Sequence, residues 1–131
     1  MPDKATQEKE AREQRRVETF PNEYPDRRYT IEIVNEEYTS VCPRTGLPDF
    51  GRIIVRYVPD KKVLELKALK FYFLQYRNMG IFYEHAVNRI LDDLVASCEP
   101  HEMEVVGEFS TRGGMHSRVV VHYKKGGAER G

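Results

Sequence analysis

Inward and outward positions alternate in three stretches of the chain: residues 29–33, 103–109 and 119–123. A period of two is typical of a β-strand with one buried face, and a fourth stretch, residues 51–58, is rich in the β-branched and aromatic residues that strands favour. The pattern therefore predicts four strands. Residues 34–50 separate the first two strands, which suggests a long hairpin with an extended loop between its arms.

Between the second and third strands the apolar spacing becomes that of a helix. Residues 66–76 repeat apolar side chains at this spacing and stop at Asn78 and Gly80, and residues 86–98 form a clearer stripe before Pro100. We predict two helices there. The order β-β-α-α-β-β then indicates an α+β fold, in which two helices cover one face of an antiparallel sheet. The edges of such a sheet invite pairing with another subunit.

The two ends of the chain are polar, and the apolar residues lie between them. Residues 1–19 carry mixed charges and too little apolar area to become ordered, so we predict a flexible polar tail there. Residues 126–131 are predicted to be disordered. The chain of 131 residues, 40% of them hydrophobic, can form one core, so residues 20–125 are predicted to be a single domain.

Charge and cysteine content narrow the classes of function. Lysine plus arginine number 21 and equal aspartate plus glutamate, so no net field is present to hold nucleic acid or an anionic membrane, and neither partner is expected. No N-terminal apolar segment resembles a signal peptide, and two cysteines make no disulfide framework, which indicates a cytoplasmic protein. Cys98 and His101 lack a second pair to complete a zinc site, so no metal is expected.

Cys42 stands in a loop of turn-forming residues, CPRTGLPDF. Pro43 restrains it to an extended conformation, and the loop lacks the apolar run that surrounds a core cysteine. Arg44 could favour the thiolate that attacks electrophiles, and Asp49 is an acid within reach if the loop folds back. From these residues alone, a reactive thiol and an incidental one are equally acceptable interpretations. Cys98, in contrast, completes the second helical stripe and is predicted to lie in the core.

A second candidate site is the stretch ELKALKFY, which begins at Glu65. Its carboxylate is predicted near a helix start, and Lys67 and Lys70 share one helix face. Such a lysine pair can hold a phosphorylated cofactor, although lysines of this kind are more often ordinary solvated charges. Glu84, at the start of the second helix, is either a cap favoured by the helix dipole or a ligand anchor.

Both motifs resemble those of the nitrile reductases that convert 7-cyano-7-deazaguanine to 7-aminomethyl-7-deazaguanine in queuosine biosynthesis, in their short single-domain form. That family carries a C-P-x-T-G-x-P-D-F stretch like the one at Cys42 and a signature stretch like the one at Glu65. The similarity covers roughly residues 20–123 and continues through the stretches RN, FYE, EVVGEF and RGG, which begin at Arg77, Phe82, Glu104 and Arg112.

The resemblance implies a tunnelling fold, in which the strands of several copies join into a barrel with active sites between subunits. It therefore implies a homo-oligomer whose residues 20–125 are the catalytic domain. Cys42 would add to the nitrile carbon and form a covalent thioimide, and Asp49 would donate protons. NADPH would deliver hydride twice to leave a primary amine.

The resemblance also implies which residues bind ligands. Glu65 and Glu84 would accept hydrogen bonds from the guanine-like edge of the substrate. Tyr83 stands where some relatives have histidine, and Leu66 where others have serine. The implied substrate-binding residues are Leu64, Glu65, Leu66, Tyr83 and Glu84, and the implied cofactor-binding residues are Leu66, Lys67, Lys70, Arg112 and Gly113.

Two other functions stay open at this point. A related tunnelling-fold enzyme forms the same thioimide but lets ammonia or an amino donor attack it, which produces an amidine and makes no use of the lysine-bearing motif. The other is a non-catalytic module that binds deazapurine or RNA, which neither the neutral charge nor the retained thiol favours.

Overall fold

The computed structural model describes residues 3–6 and 15–126, with the backbone alone at residues 111 and 112. Residues 15–126 form six strands, two α-helices and one short 3₁₀ helix. The strands are β1 (Thr19–Pro21), β2 (Ile31–Val41), β3 (Pro48–Val58), β4 (Lys62–Leu64), β5 (Glu102–Arg112) and β6 (Met115–Lys124). The helices are α1 (Leu66–Leu74), the 3₁₀ helix (Gln75–Asn78) and α2 (Tyr83–Cys98).

The four long strands form one antiparallel sheet in the order β2-β3-β5-β6. Both helices pack on the same face of this sheet, and their buried residues join one hydrophobic core with those of the strands. The predicted α+β fold, with two helices on one face of an antiparallel sheet, is therefore confirmed. Strands β1 and β4 form a separate ribbon of three residues each, which is too short to produce a recognisable alternation in the sequence.

The core lies between α2 and the middle of the sheet. Every second residue of β3 and β5 faces the helix, as the pleat of a strand requires. At Gly107 a Cβ atom would lie 2.6 Å from the Val87 side chain, so the absence of a side chain lets α2 approach the sheet closely. Cys98 is 1% exposed, which confirms its predicted place in the core. The fully or almost fully buried residues at this interface include Ile53, Val55, Tyr57, Val87, Ile90, Leu94, Met103 and Val105.

The hairpin loop is shorter than the sequence pattern predicted. Strand β2 extends as far as Val41, and β3 already begins at Pro48. The loop between them is therefore residues 42–47 rather than the predicted 34–50. The reason is a register shift between Asn35 and Tyr38, which interrupts the alternation of inward and outward side chains along β2.

The segment from Arg15 to Val17 packs on α2. The Arg15 guanidinium pairs with the buried Asp93 carboxylate, and the Val17 N–H donates to the Ser97 hydroxyl at 2.9 Å. Residues 15–19, which the sequence assigned to the tail, are therefore packed against the domain. Most of the predicted tail, residues 1–2 and 7–14, lies outside the described residues, as do residues 127–131 of the predicted C-terminal tail.

Candidate active site

The loop that carries Cys42 is a tight turn closed by its own backbone. The Cys42 N–H donates to the Leu47 carbonyl at 2.9 Å, and the Gly46 N–H donates back to the Cys42 carbonyl at the same distance. Gly46 has a φ of 73°, which a residue with a side chain adopts only with strain. The loop is anchored at its start by Val41, whose N–H donates to the Met79 carbonyl at 2.9 Å. The thiol is therefore presented from a fixed point beyond the end of β2.

The surroundings of Cys42 favour its thiolate form. The pKa of this half-exposed thiol is lowered chiefly by the Thr45 hydroxyl, and then by the backbone N–H groups of Thr45 and Arg44. Partial burial and the negative charge of Asp49 oppose this shift. The sequence had suggested the Arg44 side chain as the activating group, whereas in the structure Arg44 acts on the thiol through its backbone. Because these hydrogen bonds stabilise the thiolate, a larger fraction of Cys42 is in its nucleophilic form at neutral pH.

Asp49 lies at the start of β3, close enough to Cys42 for its charge to act on the thiol. The two residues predicted as catalytic are thus brought to the same end of the hairpin. Asp49 is only 7% exposed. It borders a cleft of about 420 Å³ whose other lining residues include Tyr83, Phe109 and Met115. A buried acid beside a reactive thiol, at the edge of an open cleft, can protonate a group that the thiol attacks.

Tyr83 is held rigidly on the opposite wall of this cleft. Its ring stacks on Phe109, with centroids 4.1 Å apart, and its phenol oxygen accepts a hydrogen bond of 2.7 Å from Ser117. Glu84 follows in the first turn of α2 and is exposed. Phe109 and Ser117 were not predicted as part of the site. They lie on strands β5 and β6, and their approach to Tyr83 depends on how α2 packs across the sheet, which no local pattern reveals.

Glu65 caps the start of α1. Its carboxylate accepts hydrogen bonds from the backbone N–H groups of Lys67 at 3.0 Å and Ala68 at 2.9 Å, and these two contacts, in that order, lower its pKa. The predicted position near a helix start is confirmed. Leu64, next to it, is buried, and its N–H donates to the Tyr57 hydroxyl at 3.0 Å. Leu66, in contrast, is 62% exposed.

Lys67 and Lys70 are both exposed on α1. Lys70 borders a cleft of about 240 Å³ together with Leu66 and the segment of β2 around Val34. Among the described residues of this cleft, the cations are Lys70 and Arg77. Lys70 and Arg77 place two positive charges at this cleft, whose lining is mostly apolar but includes the Glu37 carboxylate, and such charges can hold an anionic group beside a flat ring system.

Within one chain the two groups of predicted site residues do not meet. At the usual rise per residue, α1 and the 3₁₀ helix carry the backbone about 20 Å from Leu66 to Asn78, next to the residues that anchor the thiol loop. Glu65 and Lys67 therefore lie at the end of α1 that is far from the thiol loop, and Lys70 lies about one turn further along the helix. Cys42, Asp49, Tyr83 and Gly113 lie at the thiol-loop end of the subunit, where Gly113 occupies the β5–β6 turn with a φ of 56°. The side chain of Arg112 lies outside the described part of the structure.

Two further features bear on the class of protein. In the described ranges, no helix has the length and apolar character needed to cross a membrane. The same residues contain no cluster of three or more His, Cys, Asp or Glu side chains placed to hold a metal ion.

An α+β domain with a thiolate-prone cysteine beside a buried carboxyl group is typical of enzymes that use a cysteine as nucleophile. Residues 48–128 match the sequence model of the family described as QueF-like protein, and the chain belongs to this family.

Relatives in this family cover almost the whole domain. The chain is 62% identical over 109 residues to the NADPH-dependent 7-cyano-7-deazaguanine reductase of Chlorobaculum tepidum, across 83% of this chain and 93% of that protein. It is 56% identical to the protein of the same name from Chloroherpeton thalassium, across 82% of this chain and 93% of that one. Among solved structures, an archaeosine synthase QueF-Like in the apo form superposes with a TM-score of 0.67 at 25% identity, across 71% of this chain and 91% of that one.

Proposed function

We propose that this protein is an NADPH-dependent 7-cyano-7-deazaguanine reductase, which converts the nitrile of its substrate to the primary amine 7-aminomethyl-7-deazaguanine in queuosine biosynthesis. The supporting comparison is about 60% identity to reductases of this name over more than four fifths of the chain. The single structural observation that carries the proposal is the approach of the activated Cys42 thiol to the buried Asp49 carboxyl.

The first chemical step follows from these two groups. The Cys42 sulfur attacks the nitrile carbon and forms a C–S bond, while one C–N π bond breaks and its electron pair goes to the nitrogen. Asp49 donates a proton to that nitrogen, which leaves a neutral thioimide. A thioimide offers a C=N bond that is more easily protonated and reduced than the nitrile.

NADPH, when bound, supplies the hydride, and two equivalents are required to take a nitrile to an amine. The exposed Lys67 and Lys70 fit its phosphate groups because no described acidic side chain neutralises either ammonium group in an ion pair. In this proposal Leu66, Arg112 and Gly113 complete the cofactor-binding surface.

Substrate recognition is assigned to the carboxylates. Glu65 and Glu84 accept hydrogen bonds from the N–H groups of the guanine-like edge, and the backbone of Leu64 and Leu66 lies beside it. Each carboxylate oxygen of Glu65 accepts one N–H from α1, which leaves further lone pairs for a ligand. Tyr83, fixed by its stack on Phe109, limits how the flat ring of the substrate can enter.

The separation of the two residue groups leads us to propose a homo-oligomer with active sites between subunits. A neighbouring copy that brings its α1 start to the thiol loop would unite Glu65 and Lys67 with Cys42. Strands β2 and β6 are the edges of the sheet and are available for such pairing. Exposed apolar side chains on and near α1, including Leu66, Phe71 and Leu74, also favour burial by a second copy.

Intact-protein mass spectrometry tests this function directly. Incubation with 7-cyano-7-deazaguanine alone should add the substrate mass at Cys42, and NADPH should clear the adduct and release the amine. Cys42→Ala should abolish the adduct, whereas Cys98→Ala, which changes the buried thiol, should retain it. A stable adduct that NADPH cannot discharge would reject hydride transfer and favour an amidine-forming enzyme, which ammonia would then discharge. Folded protein with no adduct would contradict the proposal as a whole.

A further inference from the structure

The hydroxyl groups of Tyr38 and Ser40 are buried on the inner face of β2. Tyr38 is 2% exposed and Ser40 is 0% exposed, and within the described part of the chain neither hydroxyl makes a hydrogen bond of normal geometry. Folded proteins rarely bury an unpaired hydroxyl unless it serves a function or binds a water molecule. Since the two residues are two positions apart on one strand, both side chains point to the same face of the sheet.

Ser40 lies directly opposite Asp49 in the β2–β3 hairpin. Side chains paired in this way have Cβ atoms about 5 Å apart, which is within reach of a hydrogen bond between a hydroxyl and a carboxyl group. Tyr38 is opposite Gly51, one step further along the same face. Asp49 borders the open cleft, whereas Ser40 does not, so Ser40 approaches the acid from the interior of the protein.

The three polar groups also act on one another electrostatically. Burial raises the pKa of Tyr38, the Ser40 hydroxyl opposes that shift, and the charges of Tyr76 and Asp49 increase it. The Tyr38 ring itself cannot swing away, because its centroid lies 5.8 Å from those of both Tyr76 and Phe109. Ser40, Tyr38 and Asp49 therefore form one polar cluster between the aromatic core and the open cleft.

We infer that Ser40, supported by Tyr38, is a positioning residue for the acid Asp49. Its hydroxyl donates to one carboxyl oxygen when the substrate is bound, so that the other oxygen is held toward the nitrile nitrogen. Hydrogen bonds of this kind are often incomplete in a free enzyme and form in the substrate complex. This inference rests on the proposed function, because it needs Asp49 to be the proton donor.

A positioning role predicts opposite effects on activity and stability. Ser40→Ala and Tyr38→Phe each remove an unpaired buried hydroxyl, so the melting temperature should stay the same or rise. The rate constant kcat should fall about tenfold or more, because a misplaced catalytic group loses much of its effect, while KM changes little. A merely structural hydroxyl would show the reverse, with lower stability and unchanged turnover.

The experiment measures adduct formation in a single turnover without NADPH, steady-state NADPH oxidation, and thermal unfolding for each variant. Ser40→Thr keeps a hydroxyl and should regain most of the rate lost in Ser40→Ala. The matched control is Ser97→Ala, a buried serine whose hydroxyl does make hydrogen bonds, to Val17 and to the Asp93 carbonyl. This control should melt at a lower temperature and turn over like the wild type.

The outcomes separate this inference from the proposed function. If Ser40→Ala and Tyr38→Phe form the adduct and oxidise NADPH at the wild-type rate, the inference is wrong and the reductase stands. If both variants lose stability and activity together and Ser40→Thr restores neither, Ser40 is structural and the inference is also wrong. If Asp49→Asn is fully active, Asp49 is not the acid, and the proposed mechanism fails first.

Discussion

The ion pair between Arg15 and Asp93 should contribute strongly to stability, and Arg15→Met tests it. Arg15 donates from two nitrogen atoms to one oxygen of Asp93, both at 2.8 Å, and the Tyr72 hydroxyl donates to the other oxygen at 2.6 Å. Hydrogen bonding and charge from Asp93 raise the pKa of Arg15. Asp93 is 5% exposed. Without Arg15 its charge would stay buried, and among the described residues the cation left beside it would be Arg89, whose Nε lies 3.9 Å away.

The magnitude follows from the burial of Asp93. Removing one partner of a buried ion pair costs about 3–5 kcal/mol, because the other charge stays desolvated. Water can replace part of the lost contact since the Arg15 side chain is 31% exposed, and the lower end, about 3 kcal/mol, is therefore expected. In a domain of this size 1 kcal/mol corresponds to a shift of about 3–5 °C, so the melting temperature should fall by roughly 10 °C.

Thermal unfolding at one fixed protein concentration is the assay, because the proposed assembly would make the melting temperature depend on concentration. Lys62→Met is the matched control, since it removes an ion pair to Glu99 whose partners are 44% and 62% exposed. That exposed pair should contribute little, because solvent screens both charges. The double variant Arg15→Met/Asp93→Asn should regain part of the loss, because the buried charge is gone. Arg15→Met melting within about 1 °C of the wild type would refute this reasoning.

Three further predictions concern the thiols and the core. Thr45→Val removes the hydroxyl that most lowers the pKa of Cys42, so the alkylation rate at neutral pH should fall and the midpoint of its pH profile should move to higher pH. Thr45→Ser should behave like wild type. An unchanged midpoint in the valine variant would disprove the assignment. Burial raises the pKa of Cys98 to about 12, so a thiol reagent at pH 8 should label Cys42 alone in folded protein and both cysteines in denaturant; labelling of Cys98 under native conditions would contradict its packing. Gly107→Ala should destabilise by about 1–3 kcal/mol in denaturant unfolding because the added methyl group overlaps the facing helix, whereas Gly80→Ala, with nothing within 4 Å of the added methyl, should cost much less.

Much of the fold could be predicted because its signals are local. The run of β-branched and aromatic residues over 51–58 and the apolar stripe that ends at Cys98 each lie within one element, so the sequence alone predicts both. The bulge in β2 and the packed segment at Arg15 are different, because each depends on a contact with a distant part of the chain. A polar residue such as Arg15 looks typical of a tail until the buried Asp93 that it neutralises is known.

In the candidate site, too, some residues could be predicted from local motifs and others could not. Cys42 and Glu65 carry motifs whose neighbours in sequence are also their neighbours in space, and the resemblance that rested on them is confirmed by the family match. Ser40 has no motif of its own. Its importance arises from lying across a strand pair from Asp49, and a sequence shows such pairing only when the register is known.

The separation of the two groups of site residues along α1 and the 3₁₀ helix supports the proposal that the active site lies between copies. About 20 Å of helix separates the start of α1 from the residues that anchor the thiol loop, so either its lysines are ordinary surface charges or a second copy supplies them to the thiol. The neutral formal charge of the chain adds no repulsion between copies, and apolar side chains at Leu66 and Phe71 remain exposed beside the lysines. Assembly would bury those side chains and bring the helix start of one copy to the thiol loop of the next. A mixture of Cys42→Ala and Lys67→Ala subunits should then regain activity that neither variant has alone, and the absence of any recovery after subunit exchange would argue that each chain works by itself.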